Sequence, residues 1–170
     1  RLDRIALVEG WTFRQMRNAL NAHTALRHET ESLPDAEVLR PIGSDRSSPE
    51  GLFFPDTYHF ARGTSDVVVL RRAAQRMRAL LEEQWAQRDE GLPIDDPYQA
   101  LILASIVEKE TGQETDRPLV AAVLLNRLRK GMRLQTDPTV IYGMGERFDG
   151  NLRRKDLVAD SPYNTYARTG

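Results

Sequence analysis

The sequence contains no cysteine in its 170 residues, which excludes disulfide bonds and thiolate metal sites. Its three histidines show no metal-ligand spacing, and it has neither a glycine-rich phosphate loop nor the nucleophile elbow of a serine hydrolase. We therefore predict no metal and no cofactor. The 24 basic and 25 acidic residues nearly cancel, so the composition lacks the basic surplus typical of nucleic-acid-binding proteins.

Long apolar runs are also missing. No stretch approaches the roughly 20 apolar residues that span a bilayer, and no signal-peptide pattern is present. Because the chain opens on Arg1 without a methionine, in a segment with strand character, we expect it to be a piece of a longer protein. With 40% hydrophobic and 29% charged residues, this piece suffices for one packed domain of ordinary size.

Start signals, apolar periodicity and stop signals predict a mostly helical chain of the α+β class. The predicted elements are a strand at residues 4–8, helices at 13–22, 67 to about 88, 97 to about 111, 118–130 and 139–142, and short helical segments after Pro34 and at 154–157. We divide the chain into a small mixed N-terminal part, residues 1–65, and a mainly helical core with a lysozyme-like or transglycosylase-like site, residues 66–170. The apolar stripes predict that Val120, Val123, Leu124 and Leu128 pack on the preceding helix.

The most informative segment is an apolar helix that ends in two carboxylates, Glu108 and Glu110. Each helical residue turns about 100°, so residues two apart point to nearly opposite sides and cannot form a facing pair. Glu110 continues the stripe of Leu103, Ile106 and Val107, which makes it the better candidate for a desolvated carboxyl. Desolvation raises a carboxyl pKa, as a general acid requires. By helical pattern alone, two solvated glutamates in a last turn are the commoner arrangement, because charged residues usually lie at the surface.

Two later segments, residues 134–143 and 161–166, combine neutral hydrogen-bonding groups with aromatic rings, which is the kind of inventory that binds sugars. Asp137 taken alone is more often a helix cap, and aromatic loop residues are more often packed anchors than ligands. A third aromatic segment, residues 50–58, is interpreted as a further loop.

Taken together, these segments resemble one family. Four stretches are similar in sequence and order to the YceG-like family of endolytic murein transglycosylases. They are EGLFFPDTYHF, ASIVEKET, AAVLLNRLRKGMRLQTDPTVIYGMG and SPYNTYARTG. The resemblance extends from residue 8 to residue 170 and is weakest at residues 22–45. It implies a carbon–oxygen lyase that cleaves the β-1,4 bond between N-acetylmuramic acid and N-acetylglucosamine without water and leaves 1,6-anhydro ends.

The resemblance also implies roles for particular residues. The catalytic glutamate falls within residues 107–110, and we assign it to Glu110, with Glu108 as the alternative. The residues expected to line the sugar subsites are Gln135, Thr136, Asp137, Tyr142, Asn126, Tyr163, Asn164 and Tyr166.

The same resemblance implies attachment to the bacterial inner membrane by one N-terminal helix, with the catalytic domain facing the periplasm or the cell exterior. We expect that anchor, a LysM-like domain and a C-terminal end to lie outside this sequence. Peptidoglycan strands are the expected substrate, and penicillin-binding proteins are candidate partners. Two other interpretations stay open. One is a hydrolytic muramidase that uses Asp137 as its second carboxylate, and the other is a non-catalytic peptidoglycan-binding or scaffold module.

Overall fold

The computed structural model describes residues 1–169 of the chain. Its elements divide between two units, Arg1–Gln87 and a second unit that begins at Arg88. Seven helices and a two-stranded sheet confirm the predicted α+β class for the described residues. In this part of the chain, no helix combines the length and the apolar character needed to cross a membrane.

The first unit is built on an antiparallel pair of strands, β1 (Leu2–Ala6) and β2 (Thr57–Ala61), in which Ile5 lies opposite Tyr58. The chain between the strands forms helix α1 (Phe13–Ala22), a 3-10 turn (Asp35–Val38) and the short helix α2 (Leu39–Ile42), and helix α3 (Asp66–Ala86) follows β2.

Helix α1 has the bounds that the sequence predicts. Thr12 and Gln15 form a reciprocal capping box at its start, and Phe13, Met16 and Leu20 recur on one buried face. Strand β1 overlaps the predicted strand but lies two residues earlier.

Strand β2 was not predicted, because its residues were interpreted as the end of an aromatic loop. Tyr58 and Phe60 are buried and alternate with exposed neighbours, which is the period of a half-buried strand. Five residues give too short an alternation to stand out beside the Pro55–Asp56 turn signal.

Helix α3 confirms the longest predicted helix, but its apolar stripe is only half buried. Val69, Leu70 and Ala73 lie in the core of the first unit, whereas the four apolar residues of the second half retain much of their exposure. Those four are Met77, Leu80, Leu81 and Trp85. The helix extends beyond the last core residue of its unit. The first unit ends at Gln87. The division at residue 65 into a mixed part and a helical core remains a prediction.

The second unit contains helices α4 (Pro97–Glu110), α5 (Arg117–Arg129), α6 (Asp137–Met144) and α7 (Arg154–Leu157), with 3-10 turns at Glu114–Asp116 and Gly145–Arg147. Asp96 caps α4 through the backbone N–H of Gln99, and a proline lies in the first turn, as predicted.

The core of the second unit joins α4 to α5. Its buried members are Leu103, Ile106, Val107, Leu124 and Leu134, with Val120 and Leu128 partly buried against them. The predicted packing of α5 on α4 is therefore confirmed for three of its four residues. Val123 is wrong, because it is 47% exposed: one position before Leu124, it is turned about 100° away from the buried face.

A buried carboxylate connects the start of α3 to the segment after α1. Asp66 is fully buried, and its two oxygens accept hydrogen bonds from the backbone N–H groups of Glu29, Thr30 and Val67 and from the Thr30 hydroxyl, at 2.7–3.1 Å. Each acceptor position is used, so the site requires a carboxylate rather than an amide.

We expect Asp66→Asn to destabilise the first unit by about 2 kcal/mol, because the new amide NH2 would face buried donors that it cannot accept from. Urea unfolding followed by circular dichroism measures this change. The matched control is Asp45→Asn, which makes the same chemical change at an exposed position and should alter stability little. Equal stability of the two variants would contradict the account.

Candidate active site

Helix α4 presents two carboxylates at its end, and they face different neighbours, as their two-residue spacing predicts. Glu108 forms an ion pair with Arg117 at the start of α5, with an N–O distance of 3.3 Å. Glu110 instead lies within electrostatic reach of Asp137, the first residue of α6.

Glu108 borders a shallow apolar groove of about 490 Å³ between α4 and α5. Its other lining residues are Ala100, Leu103, Ala104, Val107, Arg117, Pro118 and Ala121. Glu110 does not line this groove. The carboxylate of Glu108 is thus compensated by a guanidinium on the α5 side of the helix.

Glu110 is the more exposed of the two glutamates by side-chain area, which corrects the expectation that it is the more buried one. The helix ends at Glu110, whereas Arg117 lies over Glu108. Even so, partial desolvation raises the pKa of the Glu110 carboxyl, and the nearby Asp137 carboxylate raises it further. The exposed area is that of the whole Glu110 side chain, whereas its pKa depends on the surroundings of the carboxyl group alone. Proton transfer depends on the pKa.

Asp137 does not cap helix α6, contrary to the more usual role of an isolated aspartate at a helix start. Thr136 occupies the N-cap position without a side-chain capping bond, and Asp137 opens the helix. One Asp137 oxygen accepts a 2.6 Å hydrogen bond from the Tyr166 hydroxyl. That bond, followed by desolvation, raises the pKa of Tyr166 to about 12, so the phenol remains a proton donor at neutral pH.

Gln135 has an uncommon backbone conformation for a residue with a side chain, with φ at +56°. Its side-chain oxygen accepts a 3.0 Å hydrogen bond from Arg127 of α5, and its backbone N–H donates to the Thr165 carbonyl at 3.1 Å. Arg127 also donates to the Arg133 carbonyl. Sequence reasoning missed Arg127, because a cation on a helix has the appearance of an ordinary surface residue.

Two of the predicted sugar-binding residues are buried and act as supports. The Thr136 hydroxyl interacts with Thr139 and Thr165. Asn164, 1% exposed, donates to the carbonyls of Leu157 and Ala159 and accepts from the Tyr166 N–H at 2.9 Å. The polar atoms of both side chains take part in these internal bonds, and their contact with a sugar stays a prediction.

The α5–α6 connection, residues 130–136, and the C-terminal loop, residues 158–169, are joined by a hydrogen-bond network. Three of its hydrogen bonds are 3.0–3.1 Å long. They run from Gln135 N–H to the Thr165 carbonyl, from Thr136 N–H to the Thr165 hydroxyl and from the Arg133 side chain to the Tyr166 carbonyl. This network brings Asp137, Gln135 and Tyr166 together.

Two predicted aromatic residues form an exposed pair at the other end of α6. The rings of Tyr142 and Tyr163 meet edge to face with centroids 4.9 Å apart, and both stay about half exposed. Gly143, which follows Tyr142, leaves no room for a side chain, because a Cβ there would lie 2.8 Å from the Ser161 hydroxyl oxygen. The pair offers ring faces suited to stacking on a sugar.

Asn126, the remaining predicted residue, lies on the exposed side of α5, where its side-chain oxygen accepts from Arg129. The described residues contain no group of three or more His, Asp or Glu side chains placed to hold a metal ion. The arrangement near Glu110 is one protonatable carboxyl accompanied by a second carboxylate, Asp137, and a phenol, Tyr166.

Comparison with known proteins gives a consistent result. The model of the YceG-like family matches residues 1–170. An endolytic murein transglycosylase of Bacillus subtilis (strain 168) is 34% identical over 153 residues, which cover 89% of this chain and 42% of the relative. One of Streptococcus pneumoniae serotype 2 (strain D39) is 32% identical over 157 residues, which cover 82% of this chain and 25% of the relative.

Among solved structures, the crystal structure of a YceG-like protein of Listeria monocytogenes has a TM-score of 0.73 at 30% identity, covering 98% of this chain and 60% of that one. The chain spans less than half the length of the two curated relatives.

The conformation of Gln135 gives a prediction that separates backbone strain from side-chain function. Gln135→Ala and Gln135→Gly both remove the amide that meets Arg127, but only glycine adopts a positive φ freely. We expect Gln135→Gly to be more stable than Gln135→Ala by about 1 kcal/mol, although both lose the same side-chain contact. Chemical denaturation of the two variants measures this difference, and equal stability would show that the backbone is not strained there.

Proposed function

Because the chain belongs to the YceG-like family, we propose that it is the catalytic part of an endolytic lytic transglycosylase, which cleaves peptidoglycan between N-acetylmuramic acid and N-acetylglucosamine without consuming water. Two relatives above 30% identity are named endolytic murein transglycosylases, which supports the substrate class. The structural observation that carries the proposal is the Glu110 carboxyl, whose pKa is raised by desolvation and by Asp137.

In the first step, protonated Glu110 donates its proton to the glycosidic oxygen. The bond from that oxygen to C1 of N-acetylmuramic acid breaks, and N-acetylglucosamine leaves with a new 4-hydroxyl group. A raised pKa keeps Glu110 protonated nearer to neutral pH, so the acid is available for this step. The positive charge that develops at C1 is shared with the ring oxygen and the acetamido group of the sugar.

In the second step, the Glu110 carboxylate removes the proton of the C6 hydroxyl. The C6 oxygen attacks C1 and closes a 1,6-anhydro ring, and Glu110 returns to its protonated form. One carboxyl serves as acid and then as base, so the two-residue separation of Glu108 and Glu110 presents no obstacle. Gln135 and the exposed Tyr142–Tyr163 pair are the groups best placed to contact sugars, through an amide and through ring faces.

One observation supports a second candidate, a hydrolytic muramidase. Asp137 lies within electrostatic reach of Glu110, and hydrolysis of a glycosidic bond generally uses two carboxyl groups. The products distinguish the reactions, because a transglycosylase leaves anhydro ends lighter by one water than the reducing ends that hydrolysis leaves. Mass spectrometry of the released muropeptides therefore decides between them.

The natural setting follows from the same proposal. Action on peptidoglycan requires the catalytic region to face the periplasm or the cell exterior, and attachment to the inner membrane by a segment outside this sequence would hold it near new strands. Penicillin-binding proteins, which make those strands, are the proposed partners. Fractionation of cells that produce the full-length protein, with protease accessibility of this region from the outer face, tests the location.

The central test replaces Glu110 with glutamine, which keeps the shape but neither gives nor takes the proton. We expect Glu110→Gln to fold as the wild type does and to lose at least ~10²-fold in strand cleavage, the lower scale for a positioned acid–base group. The measurement is muropeptide release from purified peptidoglycan by the full-length protein.

Glu108→Gln is the matched control, because it makes the same change two residues earlier and breaks only a partly exposed ion pair with Arg117. Its loss of cleavage should be much smaller. The reverse ranking would move the catalytic role to Glu108, and full activity of both variants would remove the enzymatic role of this site.

A further inference from the structure

The hydrogen bond between Tyr166 and Asp137 indicates a role for Tyr166 other than contact with the sugar. Its 2.6 Å length is typical of a hydroxyl that donates to an ionised carboxylate. Tyr166 is itself fixed at its backbone, because its N–H donates to Asn164 and its carbonyl accepts from Arg133 at 3.0 Å. The phenol is thus aimed from an anchored loop at one oxygen of Asp137.

Asp137 needs such a partner to hold its position. It is exposed at the first position of α6, and Thr136 occupies the cap, so the helix start does not restrain its carboxylate. Tyr166 comes from the C-terminal loop, 29 residues further along the chain, and fixes the carboxylate near Glu110.

Two elements of the second unit bring polar groups toward Glu110: helix α6 with the Asp137 carboxylate, and the C-terminal loop with the neutral phenol of Tyr166. Two cations of helix α5 have other partners, since Arg127 is hydrogen-bonded to Gln135 and acts on Tyr166, and Arg117 is paired with Glu108. On α4 itself the adjacent charges are Glu108 and Lys109. Asp137 is the charge that raises the pKa of Glu110, after desolvation.

We propose that Tyr166 is a positioning residue, which holds the Asp137 carboxylate beside Glu110 through this hydrogen bond and thereby extends the activity to higher pH. This inference rests on the proposed function, since it assigns Glu110 the role of the acid. With Asp137 held in place, negative charge near Glu110 disfavours its ionisation, so the acid stays protonated further up the pH scale. Tyr166 then acts through Asp137 and not through the sugar.

The test is the pH profile of kcat for strand cleavage by the full-length protein and three variants. Asp137→Asn keeps an oxygen that can accept from Tyr166 but removes the charge, so the basic limb should move to lower pH. Tyr166→Phe removes the donor and should move the limb in the same direction, with kcat near neutral pH roughly tenfold lower and KM close to that of the wild type. The double variant should show no further displacement beyond Asp137→Asn, because both changes act on one charge.

Tyr163→Phe is the matched control, because it removes a phenolic hydroxyl from the same loop without touching Asp137. Its basic limb should coincide with that of the wild type, whatever its overall rate. A raised KM and an unmoved limb in Tyr166→Phe would overturn the proposal and make Tyr166 a sugar contact. Equal displacements that add in the double variant would also overturn it. Failure of the proposed function is a separate result, since Glu110→Gln would then retain activity.

Discussion

The hydrogen-bond network between the α5–α6 connection and the C-terminal loop is the constraint on which the candidate site depends. Helix packing places Glu110, because Leu103, Ile106 and Val107 fix α4 in the core. Packing alone does not bring a carboxylate and a phenol to the end of α4. The phenol of Tyr166 comes from the C-terminal loop, and the Asp137 carboxylate opens α6 directly after the α5–α6 connection. These two irregular segments are joined by hydrogen bonds to each other.

The two units illustrate different ways of satisfying polar groups. In the first unit, one buried carboxylate, Asp66, collects the donors of two chain segments. In the second unit, hydroxyl and amide groups share this task, with Thr136, Thr165 and Asn164 at its centre. Neutral groups can support a loop without adding charge, which leaves Glu110 and Asp137 to determine the local electrostatics.

The helices could be predicted from the sequence because their signals are local. The Thr12 capping box, the Asp96 cap and the stripe through Leu103 each lie within a few residues. The short strand β2 and the exposed half of α3 could not be predicted, since both depend on what lies beside them in space. The same limit applies to Asp137. An aspartate at the start of a helix suggests a helix cap, whereas the observed hydrogen-bond partner of Asp137 is Tyr166, 29 positions away. Sequence reasoning selected Glu110 by helical face, but the partner of Glu108, Arg117, became visible only in three dimensions.

Asn164 shows how such a loop maintains its form. Its amide donates to the carbonyls of residues 157 and 159, its side-chain oxygen accepts from residue 166, and its own carbonyl accepts from residues 167 and 168. These bonds converge on one residue. We therefore expect local opening of this loop to release them together, so that the amide hydrogens of residues 166–168 exchange with solvent at similar rates.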